Sequence, residues 1–527
     1  MSTETLDIDL IIPLQFDIAN HQSPDLLLKK LSEILDLKID KPKRIDRVFY
    51  DTFDWRIFSK GQVLVEERSP RQRVLVLRAL NSPVRKACCV ISKAPRYISE
   101  LPDGDLKESL NTVVDVRALL PRGHLSSQLQ SAEFANNDGK ILVRLVAEES
   151  VSKANSDNRS YSIRRLYLNP VKGYDNELDH VIDVLQKRFE LRPSTQDVFL
   201  EVARREGWTP TPPHKHRFAP DPGIRSDTAV KTLLLDLFES MIQNEAGVLS
   251  DLDTEFLHDF RVAIRRTRTT LSQFKKVLPK PINLRFSDEF RWLGTITSPL
   301  RDLDVFTLKF DEYRTSVPTD MAVHLEPLFA FIKKRRNAEL GELISHLHSR
   351  RYHTICRDWR ETLKSTGLWS TAKATSPIGE FAAKRISKVY RESLRESQAI
   401  RLDSPNSAYH ELRKTCKKLR YLLGFSRDII QDEKFPKVLH TLRQIQDILG
   451  VIQDVSVQVS ALSDLGHQMQ KEGATSVDTY IALGILIEHM LERQREAKKD
   501  FDRHCAELHA KSVTQMFHDL HRPENKL

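Results

Sequence analysis

The residues best suited to chemistry lie in one stretch, LHDFRVAIRRTRTTLSQF, from Leu257 to Phe274. On a helix of about 100° per residue, His258, Arg261, Arg265 and Arg268 fall in one narrow stripe, at offsets 0, 3, 7 and 10. Leu257, Phe260, Ile264 and Leu271 follow one edge of that stripe, as on a helix packed along one side, and Arg266 widens the cationic face beyond the other edge. Such a face suits a polymer of phosphates, which offers only oxygen acceptors and about one charge per unit. Arginine's planar fork grips two phosphate oxygens, and residues three or four apart set their Cβ atoms about 5–6 Å apart, comparable with the reach between successive phosphates.

A second copy follows in YHELRKTCKKLRYLLGF, Tyr409 to Phe425. His410 lies 410 − 258 = 152 residues after His258, and at that offset Arg261 maps to Arg413, Arg265 to Lys417, Arg266 to Lys418 and Arg268 to Arg420. Downstream, Arg291 maps to Arg443 and Asp302 to Asp454; Lys414 and Tyr421 belong with the second stripe. Two cationic helices at equivalent places in a duplicated domain read as two walls of a single anion site.

A merely solvated face would carry Glu or Asp at three and four residues from the cations. Around Arg261, Arg265 and Arg268 those places hold mostly Leu, Ile, Val, Thr and Ser. Arg261 with Arg265 is moreover a like-charge i,i+4 pair that costs stability, so binding is the favoured explanation. For His258 and His410 a structural hydrogen bond and a ligand contact stay equally open, and Tyr421 suits packing or a phosphate hydrogen bond. Whether a metal binds is open: Asp302, Asp304 and Asp454 are better read as partners of arginines such as Arg291 and Arg443 than as metal ligands. The run Lys333 to Arg336, KKRR, reads most simply as a solvated face, with an outward extension of the basic track as the alternative.

The chain around these stripes has 527 residues, enough for two or more cores, and 40% hydrophobic with 29% charged residues is ordinary for a globular protein. A formal charge of +9 makes polyanions the natural partners. The five cysteines include no CxxC pair, which suggests neither a disulfide framework nor a zinc site and fits a reducing cytoplasm. MSTETLDIDL is acidic where a signal peptide would be basic, and the most apolar run, Tyr480 to Ile487, is too short to cross a bilayer, so no membrane is expected.

Short β-rich runs fill residues 5 to 200: LDIDLIIPLQFDI, RVFYDTF, GQVLVEER, QRVLVLRAL and ILVRLVAEE, with helices at Ser23–Leu37 and Asn176–Leu191. Prolines at 210, 212, 213, 220 and 222 mark a semi-rigid linker between Glu206 and Gly223. Beyond it the pattern is helical, in blocks at 229–249, 254–278, 284–297 and 300–313, then 321–361 with a break. The plan repeats at 377–398, 407–430, 434–449 and 451–471, with a last helix from 479 to about 510. The expected fold is α+β in two domains: an N-terminal antiparallel β barrel or sheet with flanking helices over 1–205, a linker over 206–224, and an all-α duplicated pair of four-helix bundles over 225–520 with halves at about 225–370 and 375–520.

HDFRVAIRRTR and WLGTITSPLRDLDVF in the first half, with HELRKTCKKLRY and LRQIQDILGVIQDVSV in the second, resemble the paired signatures of a CHAD domain, and SHLHSRRYHTICRDW is similar to that family's mid-domain segment. The resemblance covers roughly residues 225 to 515. It implies two four-helix bundles about a pseudo-twofold axis, a basic central channel, and binding of inorganic polyphosphate there. One departure concerns a turn: where the family commonly places Leu-Gly before Arg-Asp, the first repeat has Thr297 and Ser298, then Pro299. The second keeps Leu449 and Gly450 but has Gln453 in place of the arginine, so the turn geometry is expected to differ between halves.

The N-terminal region resembles a CYTH domain, the triphosphate-tunnel fold, through Tyr50, Asp51, Thr52 and the DWRIFSKGQVL that follows, and through LNPVKGYDNELDHVIDVL. That family opens on ExExK; here Asp7 and Asp9 stand at the acids and Ile11 where the lysine belongs. Val65 and Glu67 replace alternating arginines. The domain is therefore expected to have lost triphosphatase activity, and a divalent metal is expected only if it has not. The expected function is polyphosphate binding without catalysis, in the cytoplasm and on polyphosphate granules. The alternatives are a triphosphate or polyphosphate hydrolase working through the N-terminal domain, or a nucleic-acid binder. The last is disfavoured because the stripe from His258 to Arg268 interleaves no stacking aromatics.

Overall fold

The computed structural model describes residues 14–19, 22–82, 84–136, 138–152, 161–171, 174–210, 221–365, 367, 369–425, 435–473, 476–509 and 511–519. The chain divides into two compact units, Met1–Lys215 and His216–Leu527, and the division falls inside the proline-rich segment.

The first unit is built on one antiparallel sheet. Its strands are β1 (Leu14–Asp17), β2 (Leu37–Ile39), β3 (Lys43–Asp51), β4 (Gln62–Arg68), β5 (Arg73–Ala79), β6 (Arg85–Ile91), β7 (Leu120–Ala135), β8 (Ile141–Ser152), β9 (Ser162–Pro170) and β10 (Arg192–Pro193). They pair in the order β10-β1-β9-β8-β7-β3-β4-β5-β6, with β2 also on β7. Four helices accompany them: α1 (Pro24–Leu35), α2 (Asp105–Val114), α3 (Asp175–Phe189) and α4 (Val198–Arg205). Because strand side chains alternate, the sheet has two unlike faces. One buries Leu145, Leu166 and Leu168 against Leu31 of α1 and Leu185 of α3, and Leu64 and Leu77 against Leu110 of α2. The other sets Phe49, Val65, Val76, Leu125 and Ile163 against Phe199 and Val202 of α4. The β-rich runs named above fall on β1, β3, β4, β5 and β8, whereas β6, β7 and β9 were not anticipated. β7 is the longest strand among the described residues, yet LPRGHLSSQLQSAEFA is too polar to signal one; Ser126 accepts from Arg44 of β3 at 3.2 Å and Ser127 bonds Ser150 of β8 at 2.7 Å. Asp7, Asp9 and Ile11 lie outside the described residues.

The second unit is helical: α5 (Ser226–Leu249), α6 (Thr254–Gln273), α7 (Lys280–Leu308), α8 (Phe310–Thr315), α9 (Thr319–Ala322), α10 (Glu326–Leu347), α11 (Arg350–Lys364), α12 (Ile378–Ala399), α13 (Asn406–Phe425), α14 (Phe435–Lys471), α15 (Val477–Leu508) and α16 (Lys511–Asp519). The 152-residue repeat is carried by the helices themselves. α5 and α12 begin at 226 and 378, and α6 and α13 share both bounds at that offset. Each half packs its helices in succession, α5 on α6 on α7 on α10, and α12 on α13 on α14 on α15. The halves share a core in which Phe306, Phe310, Leu328 and Phe331 meet Leu462, Leu465, Leu483 and Met490. Gly247 of α5 faces the ring of Phe256, where an added Cβ would lie 2.1 Å from a ring carbon, so the first helix pair closes only with glycine there.

Three expectations change. The anticipated turns near 298 and 450 do not exist, since α7 and α14 run straight through them. Proline inside a helix removes one backbone donor, here the one that would serve Thr295 O, and α7 continues on either side of Pro299 because side chains before and after it, Phe290, Leu293, Leu300 and Phe306, are buried. The KKRR run is not one solvated face: Lys333 and Lys334 are exposed, while Arg336 is half-buried in ion pairs with Asp251 and Asp304. Finally, the most apolar stretch is longer than Tyr480 to Ile487: Val438–Lys471 within α14 is long and apolar enough to cross a membrane by length and composition. Its apolar side, from Val438 through Leu449 to Met469, is buried in the helical core.

Candidate functional site

The two stripes meet across an open cleft of about 500 Å³. Arg265 and Arg268 of α6, Arg291 of α7, and Arg413, Lys414, Lys417 and Lys418 of α13 line it, together with His410 and Tyr421. That makes seven cationic side chains, with no carboxylate among the described lining residues. The walls are positioned by ordinary helix chemistry. Asp253 caps α6 by accepting from the amides of Glu255 and Phe256 at 2.9 and 3.2 Å, and Phe256, Leu257, Phe260, Ile264 and Leu271 anchor its buried face. Across the repeats, Arg265 Nε donates to Tyr421 Oη at 3.1 Å. Gly294 of α7 makes room for Arg268, whose guanidinium would lie 2.8 Å from a Cβ placed there.

The cleft does not collect every cation of the stripes. Arg261 is turned toward α7, where its Nη1 donates to Thr297 Oγ1 at 2.8 Å, Ser298 Oγ at 3.0 Å and Gly294 O at 3.2 Å. Its counterpart Arg413 meets Gly450 where Arg261 meets Ser298, lies against Asp454 at 3.2 Å, and lines the cleft. The Thr-Ser in place of Leu-Gly thus changes the direction of an arginine rather than a turn. Gln453, in place of arginine, holds His410 through Nδ1 at 2.8 Å. With the glutamine oxygen accepting, Nε2 is left as the ring atom for a ligand. In the first half the equivalent Arg301 donates to Thr254 O at 3.0 Å and pairs with Glu255. His258 is partly buried and is not among the lining residues. Arg266 sits behind Tyr421 at a smaller cavity of about 40 Å³, and Arg420 lies over the Tyr421 ring at 5.8 Å. Arg443 is exposed on α14 and outside the lining.

The carboxylates are paired, though not as expected. Asp304 pairs with Arg336, Asp454 with Arg413, and Arg291 with Asp288; Asp302 acts on Arg261 and Arg301. Four neutral lining groups escaped notice: Thr269, Ser272, Gln273 and Ser287. Ser272 at least was legible, since it continues the stripe at offset 14 from His258.

Crowding leaves a mark on the charges. Burial, then Arg291, lowers the pKa of Arg268; burial, then Arg265 and Arg420, lowers that of Arg266, against Tyr421. Lys417 is pushed down to about 8 by burial first and then by Arg413, Arg265 and Arg420, with Asp454 opposing. A lysine so depressed gives its full stability only above its unfolded value of 10.5 and loses it as pH falls through about 8. Lys417→Met is therefore expected to raise the stability of the ligand-free chain at pH 7 by about 1 kcal/mol, after allowance for solvent screening. Melting temperatures at pH 7 and near pH 10 check it: the gain should shrink toward the higher pH.

On the sheet, the Tyr50-Asp51-Thr52 element serves structure. The Asp51 carboxylate accepts from the amides of Thr52, Ile57 and Phe58 at 2.7, 3.0 and 2.9 Å, and burial pushes it up to about 6 against those bonds. Tyr50 Oη donates to Glu66 at 2.9 Å. On the opposite face the cations already have partners. Arg47 pairs with Glu148 and with Glu67, Arg85 with Glu67 at 3.1 Å, and Arg165 with Asp17 and with Glu201 at 2.6 Å. Burial works against the Glu148 charge, but Arg47 and the hydroxyls of Ser150 and Ser127 outweigh it and hold its pKa below the usual range. Among the described residues no group of three His, Cys, Asp or Glu is placed to hold a metal.

Several solved structures resemble parts of this chain. The CHAD domain of the plant Ricinus communis is 24% identical over 55% of this chain and 94% of its own, with a TM-score of 0.48. A putative adenylate cyclase from Bacillus halodurans is 12% identical over 36% of this chain and 95% of its own, and a putative adenylyl cyclase from Hippeastrum with a dominant triphosphatase activity is 14% identical over 39% and 99%; both have a TM-score of 0.28. No curated protein matches by sequence. Residues 232–463, which carry both stripes and every lining residue of the cleft, match the family model of the CHAD domain, and the helical unit contains a CHAD domain over that span.

Proposed function

We propose that the helical unit binds inorganic polyphosphate in the cleft between α6 and α13. The observation that carries this is the composition of the lining: seven cations, a histidine, a tyrosine and small hydroxyl or amide groups, without a described carboxylate. A surface held for stability would pair its cations, as the sheet unit pairs Arg47, Arg85 and Arg165. Here Arg291, Arg413 and Lys414 have carboxylate partners outside the lining, but Arg265, Arg268, Lys417 and Lys418 make no ion pair among the described residues, and their crowded like charges are relieved by an incoming chain of phosphates. A polymer needs only dense donors, and Arg265, Arg268, Arg291, Arg413, Lys414, Lys417 and Lys418 supply them from three helices. Nucleic acid fits less well, because Tyr421 is the one Phe, Tyr or Trp among the described lining residues and its hydroxyl is engaged by Arg265. The sheet unit, in this reading, has lost triphosphatase activity: Glu67 stands paired with Arg47 and Arg85, and Val65 is core. Attachment to polyphosphate granules in the cytoplasm follows from the same reading.

The test is competition. Labelled long-chain polyphosphate bound to the full chain should be displaced by unlabelled polyphosphate at concentrations at least ~10-fold below those needed of single-stranded DNA or RNA, counted in phosphates. Equal displacement by DNA would remove the specific reading. In parallel, tripolyphosphate with magnesium or manganese should release no phosphate above a protein-free control; release that disappears in an Asp7→Asn/Asp9→Asn variant would restore the hydrolase.

A further inference from the structure

The cleft is lined by both halves of the duplicated domain, yet the two halves contribute different parts of themselves. Each lining residue has an equivalent 152 positions away. Among the described residues, only Arg265 with Lys417 and Thr269 with Tyr421 contribute both members of a pair. The equivalents of the rest do not continue the basic surface. Arg413 has Arg261, which is bonded to Thr297 and Ser298 of α7, and Arg291 has Arg443, which is exposed outside the lining. Lys414, Ser272 and Ser287 have Val262, Gly424 and Leu439. A channel running through both halves would need cations or hydroxyls at these places too.

The two complete pairs mark a closed end. There Arg265 of α6 donates to Tyr421 of α13 and joins the walls. Tyr421 also borders the cavity of about 40 Å³, room for a few waters, whose other walls include Leu233, Leu237, Phe274 and Leu422, with Arg266 as its one cation among the described residues. Beyond Tyr421 a phosphate chain finds neither the space nor the donors that it needs. Unshared charge rises toward the same end. Arg291, Arg413 and Lys414 each hold a carboxylate, Asp288, Asp454 and Glu411 in turn. Lys417 and Lys418, within one turn of Tyr421, make no ion pair among the described residues, and neither do Arg265 and Arg268.

We propose that the cleft receives the end of a polyphosphate and not its interior, with Tyr421 as the stop and Arg265, Arg268, Lys417 and Lys418 around the terminal phosphate. A terminal unit has three free oxygens and a second ionisation at about pH 6, whereas an interior unit has two free oxygens and a single charge. The denser anion thus meets the cations that no carboxylate shares. The proposal rests on the polyphosphate reading and adds which part of the polymer is held.

A protein that reads ends loads one copy at each end, whatever the length between. Linear polyphosphates differing ~10-fold in mean length are saturated with the full protein at moderate salt, and the complexes are weighed by light scattering. Protein bound per mole of polyphosphate should be unchanged, where interior binding would raise it ~10-fold. Long polymers blocked at both ends as alkyl phosphoramidates lose the second ionisation and keep their interior, and should bind at least ~10-fold more weakly. Arg268→Gln with Lys418→Gln should abolish that preference for free ends, while Lys414→Gln weakens binding and keeps it. Loading that grows with length, blocked polymers held as tightly as free ones, or a preference that survives Arg268→Gln with Lys418→Gln would each overturn the proposal. If neither length is retained, the polyphosphate reading falls and takes this inference with it; retention with loading in proportion to length sinks this inference alone.

Discussion

Alanine at Arg265, Arg268, Lys417 and Lys418 together should weaken polyphosphate retention by at least ~100-fold while leaving the circular dichroism helical. Each charge-assisted hydrogen bond to phosphate contributes about 1.5–3 kcal/mol, so losing four from one cleft exceeds what the remaining cations can offset. The fold should survive because the four are held by few bonds. Arg265 has its contact with Tyr421, and Lys417 and Lys418 make no ion pairs among the described residues. Removing like charges from one cleft also relieves repulsion. The control is Lys333→Ala/Lys334→Ala on α10, two exposed cations outside the lining, which should change retention less than ~2-fold at moderate salt. If the four charges lost from the cleft and the two lost from the surface weakened binding in proportion to the charge removed, net charge and not the cleft would be the cause. Arg261 is deliberately left intact: its bonds to Thr297 and Ser298 join α6 to α7, and its removal would confuse packing with binding.

How far this site was legible in the sequence depends on which physical signal each part used. The opposition of the two stripes was legible because it rests on periodicity and on a repeat without a gap. α6 and α13 keep one register 152 residues apart, and Arg265 and Lys417, equivalent by that register, line the same cleft. Direction within a stripe was not legible. Arg261 and Arg413 have the same offset, yet one follows the hydroxyls of Thr297 and Ser298 and the other stands over Gly450 beside Asp454. Periodicity places a Cβ; the far end of an arginine goes where its hydrogen bonds are. The helix break expected at Pro299 failed for a related reason. Proline costs α7 one backbone hydrogen bond, and the helix is held through it by side chains buried on both sides, Leu293 and Leu300 among them, whose packing partners no local window of sequence shows. On the sheet, β4, β5 and β8 declared themselves by apolar content. β7 did not, because it is polar, with Ser126 and Ser127 bonded to Arg44 and Ser150 of the strands beside it. A strand between two others can be this polar when its neighbours supply partners, and no window of one sequence shows that.

The same contrast between local and distant partners makes Arg336 a structural cation of the helical unit, and replacing it should destabilise the fold rather than weaken a ligand. Its Nη1 and Nη2 grip Asp251 at 2.9 and 2.7 Å, and its Nε reaches Asp304 at 2.7 Å, so one side chain of α10 ties the α5–α6 turn to α7. Asp304 is almost wholly buried, at 1% exposure, and burial has already pushed its carboxyl up to about 6 in spite of the arginine. Arg336→Met leaves that charge in the interior without its partner, a loss of about 3 kcal/mol for a buried pair broken on one side. The pH dependence identifies the mechanism. A carboxyl raised in the folded state contributes its full stability below its unfolded value near 3.8 and loses it as pH rises through the folded one. Without Arg336 the folded value moves higher still, so the melting temperature of the variant should fall furthest behind the parent at pH 8 and least at pH 5. Asp304→Asn placed on top of Arg336→Met should recover part of the loss at pH 8 and little at pH 5, since the asparagine stays neutral at both. A deficit of the same size at both pH values would show that Arg336 matters for its packing and not for the charge that it covers.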